Sequence, residues 1–477
     1  MILGFPLASR GASSGASQGS AQHHVTKAAH GSTIPALFVS DIHIDPFRDP
    51  AKVSQLVNAP VSGWNAILSR PPSPDQQQAF GALQQSCHTH TRDTSYALFR
   101  SSLKAMQARQ PHPKFITVSG DLVVHDFPCL YAALFPTAKA GDQEKFVLKT
   151  IQFVVNELRA SFPGTRVYVA LGNHDTPCSH DAIDPRSSFL SQLGKILAAG
   201  VPAREQLGMK EFAENGSYSV MMPSPMRNTR LISLNDLFLK SDYTTCSGKR
   251  GFSTAEAEMA WLETQLAQAR RMGQKVWILG HVPPGISPGR GDVCGVKPSM
   301  YLATDRLANL MIQYADIIRL GIFAHTHSDE IRLLEPEGKP DAAPGKGVAI
   351  KIVPSITPSG HDSAFTIAQV NPVSAVLMNY EVVAAKGDAG ANTTWSTEYD
   401  FRQAYHKANF TPTTLHSLIT GFAADPDAKT EASQQYIRSI RPGKSSSQLL
   451  PFWPQYVCAI SHASAKSYTA CACPASK

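Results

Sequence analysis

Residues 167–175 read Val-Tyr-Val-Ala-Leu-Gly-Asn-His-Asp, an apolar run followed at once by polar residues. The apolar part, Val167–Leu171, predicts a buried strand, and Gly172–Asp175 would then follow its carboxyl end. The same arrangement occurs upstream in residues 36–41, Ala-Leu-Phe-Val-Ser-Asp, and in residues 115–121, Phe-Ile-Thr-Val-Ser-Gly-Asp. These segments predict three buried strands, each followed by polar residues.

Helices are predicted between these strands. Apolar residues recur at helical spacing in Tyr96–Ala108 and again from Val147 to Leu158. The order strand, helix, strand, helix, strand indicates βαβ units with a parallel sheet, and therefore an α/β protein. Residues 50–92, rich in Pro, Gln and Ser, are expected to form a long excursion from this pattern.

The pattern continues less regularly downstream. Ser253-Thr254-Ala255-Glu256 predicts a capping box that opens a helix ending near Arg271, and Thr304–Tyr314 also has helical spacing. Further strands are predicted at Leu231–Leu234, Val276–Leu279, Ile317–Phe323, Val348–Val353, Phe365–Val370 and Ala375–Val383. From about residue 395 the chain is expected to be helical. We therefore expect a leader or signal remnant in residues 1–33, a main domain in 34–390 and a small helical, cysteine-containing subdomain in 391–477.

The composition limits the class of protein. Of the 477 residues, 43% are apolar, which is ample for a buried core, and the net charge of +7 is not gathered into blocks. No run of Lys or Arg is long enough to follow a nucleic-acid backbone, and no apolar segment is long enough to span a membrane. The even number of eight cysteines favours a secreted or periplasmic protein. We expect a monomer.

Polar side chains that can bind metals follow five of the predicted strands. Because the carboxyl ends of parallel strands meet at one sheet edge, these side chains should lie together. Imidazole and carboxylate groups at such an edge suit two divalent ions, which would activate water and stabilise the charge of a phosphoryl group. The residues concerned are Asp41, His43, Asp121, His125, Asn173, His174, His281, His325 and His327.

The motifs around these residues resemble the signature blocks of the calcineurin-like metallophosphoesterase superfamily. The blocks are Asp41-Ile42-His43, Gly120-Asp121, Gly172-Asn173-His174-Asp175, Gly280-His281 and His325-Thr326-His327. Asp45-Pro46, His125, Ile232–Asn235 and Val282–Gly285 further resemble the acid sphingomyelinase-like branch. The resemblance implies a β-sandwich of two mixed sheets flanked by helices. Ala324 departs from the family, which usually has Gly there, and we expect this change to narrow the turn.

The resemblance also implies roles for the site residues. One metal would be bound by Asp41, His43, Asp121 and His327, and the other by Asp121, Asn173, His281 and His325, so that Asp121 bridges them. Zinc is the implied metal, with Mn or Fe as alternatives. His174 and His125 compete for the role of general acid, and Asp175 is expected to orient His174.

Other polar residues are predicted with less support. His180 and His361 are candidates for contact with substrate, whereas His88 and His90 more often would be loop residues. Asp45 and Asp126 are candidates for acceptors behind the ligands, although isolated acids are more often turn residues. Cys246 with Cys294 resembles a disulfide of the branch, and Cys458 would pair with Cys471 or Cys473. The loops of Cys129 and Cys178 should be neighbours.

The substrate expected from the resemblance is a small-molecule or lipid-headgroup phosphodiester. True acid sphingomyelinases carry a lipid-extracting domain before the catalytic domain, and the residues before the first strand are too few for it, so nucleotide-type diesters are at least as well supported. The alternatives are an inactive binding or scaffold protein of the same fold and a phosphomonoesterase. Purple acid phosphatases use a Tyr shortly after the bridging Asp, and Leu122–His125 offers none.

Overall fold

The fold is described from a computed structural model, which covers residues 32–89, 92–139, 141–288, 294–337, 345–386 and 390–473. Nearly all of the expected leader, and His90, lie outside these residues. The strands, in chain order, are β1 Ile34–Val39, β2 Phe115–Val118, β3 Arg166–Val169, β4 Tyr218–Met221, β5 Thr229–Ser233, β6 Lys275–Leu279, β7 Ile318–Phe323, β8 Glu330–Leu334, β9 Val348–Ile352, β10 Ala364–Val370, β11 Leu377–Lys386 and β12 Thr394–Asp400.

Helices lie between and after these strands. They are α1 Pro50–Asn58, α2 Trp64–Leu68, α3 Gln76–Ser86, α4 Tyr96–Arg109, α5 Phe127–Leu134, α6 Asp142–Ser161, α7 Ser188–Ala198, α8 Phe212–Asn215, α9 Phe252–Arg271, α10 Arg306–Gln313, α11 Phe401–Tyr405, α12 Pro412–Ala423, α13 Glu431–Ser439, α14 Trp453–Ser461 and α15 Ala465–Ala472. The predicted helices at Tyr96–Ala108 and Thr304–Tyr314 are thus confirmed within a few residues.

The strands form two six-stranded mixed sheets. The first has the order β12-β11-β10-β1-β2-β3, and the second has the order β4-β5-β6-β7-β9-β8. In the first sheet β1, β2 and β3 are parallel, with Leu37 opposite Ile116, and β10 runs antiparallel to β1. In the second, β5, β6, β7 and β9 are parallel. The expected fold class, two mixed sheets flanked by helices, is confirmed.

The two sheets pack face to face through large aromatic side chains. Trp277 on β6 is fully buried, and its ring lies 6.0 Å from that of Phe38 on β1 and 5.6 Å from that of Phe115 on β2. Its indole N–H donates to the carbonyl of Ala375 at 2.8 Å, so the polar end of the ring is also satisfied. Removing a buried side chain of this size costs about 3–5 kcal/mol in a typical core.

The parallel strands of both sheets end at the same side of the molecule. Bonds continue past the strands there: Asp41 N–H donates to Gly120 O at 3.1 Å, and Gly280 N–H donates to Ile322 O at 2.9 Å. The polar residues that follow β1, β2, β3, β6 and β7 are therefore held by backbone bonds at one edge, which is where the sequence pattern predicts a site.

The expected excursion over residues 50–92 contains helices, and two other local predictions were wrong. Residues 50–92 contain α1, α2 and α3, which are short because Pro60, Gly63 and the pair Pro71-Pro72 interrupt them. Helix α9 begins at Phe252 with Gly251 before it, so Ser253 lies inside the first turn and caps nothing. Strand β12 occupies residues expected to be helical, because it pairs with β11 and completes the edge of the first sheet.

The helices after β12 form the expected helical C-terminal region. Helix α14 packs on β8: the Tyr456 hydroxyl donates to Glu330 at 2.9 Å, and the Trp453 indole donates to the carbonyl of Asp425 at 3.0 Å. The residues from Thr33 onward form one compact unit that includes these helices. A domain boundary near residue 390 stays a prediction.

Four disulfides join the eight cysteines: Cys87–Cys129, Cys178–Cys246, Cys294–Cys473 and Cys458–Cys471. The expected pair Cys246–Cys294 is wrong. Cys246 instead lies beside the loop after β3, where Ile183 N–H donates to Thr244 O at 3.1 Å and brings Cys178 within reach. Cys129 and Cys178, whose loops we expected to be neighbours, bond to other cysteines. Of the two pairings left open for Cys458, the structure contains the one with Cys471.

Disulfides persist in oxidising compartments, so the four bonds are consistent with an exported protein. Within the residues that the structure describes, no helix combines the length and the apolar character needed to cross a membrane.

The buried carboxyl of Glu258 on α9 predicts a pH-dependent stability. Burial raises the pKa of Glu258 from 4.5 to about 8, and the hydrogen bond from the Ser217 hydroxyl only partly offsets this. The folded protein therefore keeps a proton that the unfolded chain loses above pH 4.5, so stability falls as pH rises toward 8. We expect Glu258→Gln to raise the free energy of unfolding at pH 8 by about 1–3 kcal/mol and to leave it little changed at pH 4.

The measurement is urea unfolding from pH 4 to 9, monitored by circular dichroism. Glu263→Gln on the exposed face of the same helix is the matched control and should leave the pH profile as it is. Identical profiles for Glu258→Gln and the native protein would show that Glu258 does not hold a proton in the folded state.

Candidate metal centre

The loops that follow the strands carry the candidate ligands in an unusual backbone conformation. Asp41, His43, Asp121, His325 and His327 all have left-handed φ angles, between 41° and 71°. Residues other than glycine rarely adopt this backbone conformation. Where several neighbouring residues adopt it, the surrounding structure must hold them in it. Five strained residues at one sheet edge therefore indicate a functional site.

Two glycines allow the loops after β2 and β3 to meet. A Cβ added to Gly172 would lie 2.1 Å from the backbone nitrogen of Asp121, and one added to Gly120 would lie 2.6 Å from that of Gly172. Any larger residue would push the two loops apart. Ala324, where the family usually has Gly, causes no such problem, because the left-handed φ belongs to the following residue, His325.

The first group of donor atoms comes from four residues. Asp41, His43, Asp121 and His327 each offer one atom, and these atoms all lie within 4.8 Å of one another. The imidazole Nε2 of His43 is 3.4 Å from Asp121 Oδ2, and that of His327 is 3.6 Å from Asp41 Oδ1. Two carboxylates and two imidazoles at these distances can hold a divalent ion.

A second group of donor atoms also surrounds Asp121. His281 Nε2 is 3.2 Å from Asp121 Oδ2 and 2.9 Å from Asn173 Oδ1. His325 Nδ1 is also 2.9 Å from Asn173 Oδ1 and is 3.3 Å from His281 Nε2. The same carboxylate oxygen, Asp121 Oδ2, therefore faces both groups and is placed to bridge two ions.

Hydrogen bonds to backbone carbonyls determine which ring nitrogen of His43 and His281 faces the metal centre. His43 Nδ1 lies 2.9 Å from the carbonyl of Val123, and His281 Nδ1 lies 2.7 Å from the carbonyl of Ser119. A carbonyl can only accept, so each Nδ1 carries the hydrogen, and each Nε2 turns toward Asp121. Metal-binding histidines in proteins are oriented in this way.

The electrostatics of the centre call for a positive charge. Both carboxylate oxygens of Asp41 and the Nε2 of His43 are buried without a hydrogen-bond partner among the described residues. Burial raises the pKa of Asp41 to about 7, which shows that its charge is poorly compensated. Burial lowers the pKa of His281, but the charge of Asp121 outweighs it and raises that pKa to about 10. A divalent cation would satisfy these groups, so the residues fit a metal.

His125 lies at the same edge and contacts the carboxylate of Asp93. Its ring stacks on His43, with centroids 3.8 Å apart, and its Nδ1 lies 2.6 Å from Asp93 Oδ1. Burial lowers the pKa of His125, but the hydrogen bond and the charge of Asp93 outweigh it, so the pKa lies above its usual value. His125 is therefore held in place and favoured as an imidazolium.

His174 lies beside His125 in a different environment. The two ring centroids are 4.5 Å apart, and the backbone N–H of His174 donates to Asp121 Oδ1 at 2.8 Å. Burial lowers the pKa of His174 to about 4, which favours the neutral imidazole. The structure thus brings both candidate acid catalysts together but gives them opposite charge preferences.

Asp175 does not have the contact that was expected for it. Its carboxylate accepts backbone N–H groups, at 2.7 Å from Leu122 and at 3.0 Å from Gly172. Asp175 therefore ties the loop after β2 to the loop after β3, and no hydrogen bond to the His174 ring supports an orienting role among the described residues. Sequence spacing could not show this, because the bonded groups belong to the backbone.

The two candidate substrate contacts differ in exposure. His180 is exposed, and its ring centroid lies 5.8 Å from that of His174, so it lies at the edge of the site. His361 is buried: its Nδ1 is 2.9 Å from Asp362 O, and its Nε2 is 3.4 Å from the Ser355 hydroxyl. Ser355 N–H in turn donates to His327 O, so His361 lies behind the site rather than on its surface.

Three further expectations concern residues near the site. Asp45 accepts the backbone N–H of Phe47 at 2.8 Å, and Asp126 is a left-handed residue before α5, so both are turn residues. His88, also left-handed, precedes the residues left undescribed at 90–91.

Two acidic residues that support the site were not predicted from the sequence. Asp93 follows no strand and belongs to the segment before α4, so only its contact with His125 reveals it. Asp236 is buried after β5 and accepts the backbone N–H groups of His281 at 2.6 Å and of Val282 at 3.0 Å. The motif Ile232-Ser233-Leu234-Asn235 lies directly before Asp236 and was the nearest available signal.

Comparison with known proteins agrees with this geometry. The sequence model of the family described as calcineurin-like phosphoesterase matches residues 34–329. The chain is 24% identical to acid sphingomyelinase-like phosphodiesterase 3b of Mus musculus, over 91% of this chain and 88% of that protein. It is 26% identical to sphingomyelinase phosphodiesterase C of Dictyostelium discoideum, over 68% and 70%.

A third relative has a different substrate in its name. The chain is 23% identical to the cyclic GMP-AMP phosphodiesterase of Mus musculus, over 84% of this chain and 82% of that protein. The family match covers every candidate ligand from Asp41 to His327. The chain therefore belongs to the calcineurin-like phosphoesterase family and, within it, to the acid sphingomyelinase-like branch.

Proposed function

We propose that this chain is a metal-dependent phosphodiesterase. It would hydrolyse small phosphodiesters at the sheet edge that carries the candidate ligands, from Asp41 to His327. Its family makes it a hydrolase of phosphoric esters. The observation that carries the proposal is the pair of donor groups that share Asp121 Oδ2, at 3.4 Å from His43 Nε2 and 3.2 Å from His281 Nε2. An inactive scaffold protein would have no need to keep both groups complete.

The proposed ligands divide into two sets. Asp41, His43, Asp121 and His327 would hold one ion, and Asp121, Asn173, His281 and His325 would hold the other. Two bound divalent ions supply a Lewis acid for the phosphoryl oxygens and a water activated near neutral pH. Imidazole and carboxylate donors suit zinc, with manganese and iron as alternatives.

We assign the general acid to His125 because Asp93 holds its Nδ1 at 2.6 Å. That bond leaves Nε2 as the atom that gives a proton to the departing oxygen, and Asp93 stabilises the imidazolium before transfer. His174, the neutral neighbour at 4.5 Å between centroids, would instead donate a hydrogen bond to a phosphoryl oxygen. Asp175 acts through the backbone, by holding the two loops together.

The proposed substrate is a diester of the nucleotide or the phospholipid-headgroup type. The matched relatives carry names of both types, one for cyclic GMP-AMP and one for sphingomyelin. The assay compares cyclic dinucleotides and nucleoside triphosphates with sphingomyelin micelles, in the presence of Zn, Mn or Fe. We expect turnover of the nucleotides to exceed that of sphingomyelin. A protein inactive on every diester, including bis(p-nitrophenyl) phosphate, would refute the proposed function.

Asp121→Asn should remove metal and activity together, because the bridging carboxylate loses its charge. We expect bis(p-nitrophenyl) phosphate hydrolysis to fall by about a thousandfold or more. Elemental analysis of the dialysed protein should show less than two ions per chain. Asp142→Asn, at the partly exposed start of α6 and not among the proposed ligands, is the control and should keep both ions. Full activity with Asp121→Asn would rule out the bridge.

The roles proposed for His125 and His174 can be distinguished by changing the leaving group of the substrate. We expect His125→Ala to slow hydrolysis of a cyclic dinucleotide by about 10²–10⁴-fold, because an alkoxide needs a proton to depart. The same variant should hydrolyse bis(p-nitrophenyl) phosphate almost normally, since p-nitrophenolate leaves without one. Asp93→Asn should show a smaller loss of the same kind.

His174→Ala should slow both substrates equally, because its contact is with the phosphoryl group and not with the leaving oxygen. Both variants should keep two ions by elemental analysis. If His174→Ala were the variant sensitive to the leaving group, the two roles would have to be exchanged.

A further inference from the structure

A second cavity lies outside the metal centre, between α4 and the helices α1 to α3. Its volume is about 480 Å³, and none of the proposed metal ligands lines it. We name it the basic cavity after the five cationic residues in its wall. These are Arg48, Lys52, Arg70, Arg100 and Lys104.

Part of this positive charge is compensated within the protein. Lys52 is buried, and its ammonium lies 3.1 Å from Asp49 and donates to Arg70 O at 2.9 Å. The Nη1 atom of Arg100 forms an ion pair with Glu157, and Nη2 takes no part in that ion pair. These two residues therefore form a fixed part of the wall.

The other three cations are not compensated in this way. Arg48, Arg70 and Lys104 have no ion-pair partner among the residues that the structure describes. The guanidinium of Arg48 lies 5.1 Å over the ring of Phe80, which holds it in place, and Arg70 donates to Gln55 Oε1 at 2.8 Å. The cavity therefore carries excess positive charge, and these contacts hold the two arginines, whereas Lys104 is exposed.

The carboxylates in the wall are already engaged. Asp49 accepts the backbone N–H of Ser73 at 3.0 Å as well as facing Lys52, and Asp45 accepts the N–H of Phe47 at 2.8 Å. Neither has to be paired with the free cations. An anion from solution can therefore meet Arg48, Arg70 and Lys104 without displacing an internal ion pair.

The remaining wall contains four polar residues, Ser69, Gln76, Ser95 and Ser101. The rest of it is largely apolar and includes Pro46, Leu68, Pro71, Pro72 and Tyr96. Such surfaces favour a flat apolar group, whereas guanidinium groups favour a phosphate, which they can bind through two parallel hydrogen bonds. A volume of about 480 Å³ is in the range of small-ligand sites.

We propose that the basic cavity binds a nucleoside monophosphate, with the phosphate at Arg48, Arg70 and Lys104 and the base against Leu68, Pro71 and Pro72. This is a binding site distinct from the catalytic one, and it needs no metal. It touches the segments that carry catalytic groups: Asp45 lies two residues after His43, and Tyr96 lies three residues after Asp93. The proposal does not depend on the proposed function.

The test is calorimetric titration of AMP into the full-length protein after removal of metals with a chelator, so that the catalytic centre contributes no metal-dependent anion binding. Inorganic phosphate, adenosine and phosphocholine are titrated in parallel. We expect saturable binding of one AMP, weaker binding of phosphate, and weaker binding of phosphocholine than of AMP because its ammonium group meets the same cations. Adenosine should not bind measurably. Absence of AMP binding, or equal binding of adenosine, would overturn the proposal.

A charge-reversal variant locates the site. Arg48→Glu with Lys104→Glu should weaken AMP binding by about tenfold or more. The matched control is Lys145→Glu with Lys429→Glu, which makes the same change in net charge at side chains that are 70% and 78% exposed elsewhere. Equal losses in both double variants would show that net charge alone attracts AMP and would refute the cavity.

The melting temperature is measured for each variant. If the charge-reversal variant is unfolded, Arg48→Gln with Lys104→Gln takes its place, since Gln removes the charge but keeps an unbranched polar side chain. Unchanged AMP binding in this folded variant would overturn the proposal.

Discussion

The rest of the structure depends on two buried carboxylates, Asp41 and Asp121, at the ends of neighbouring strands. Burying a carboxylate is costly unless opposite charge or hydrogen bonds compensate it. Asp121 obtains that compensation from His43, His281 and a backbone N–H, whereas both oxygens of Asp41 remain without a hydrogen-bond partner in the described residues. The arrangement is therefore one that a bound cation completes, and the strained loops around it exist to maintain it.

The β-sandwich holds these carboxylates in place despite the cost of burying them. Each sheet brings its parallel strands to the same edge, and Trp277 joins the two sheets behind the centre, so the loops are fixed on rigid elements. Backbone bonds through Asp175 and Asp236 then set the positions of the loops after β2, β3 and β6. Residues outside the proposed ligand set thus determine the distances between the candidate ligands.

Much of this could be predicted from the sequence because a buried strand followed by a polar residue is a local signal. Val167–Leu171 and Phe115–Ser119 predicted both their strands and the residues after them. Asp93 could not be predicted, because this residue follows no strand and its contact with His125 spans 32 positions. The partner of Cys246 depended on the pairing of two loops, and α1 to α3 were hidden by the Pro residues that separate them. Local patterns reveal elements, whereas contacts between distant loops need the fold.

The disulfides also impose an order on maturation. Cys87–Cys129 joins residues 42 positions apart, so it can form soon after that part of the chain leaves the ribosome. Cys294 must wait for Cys473, which is 179 positions later. Meanwhile Cys294 is exposed to pairing with an earlier cysteine. A cell that exports this protein therefore needs an isomerase, or slow oxidation, to keep that thiol available until Cys473 has been synthesised.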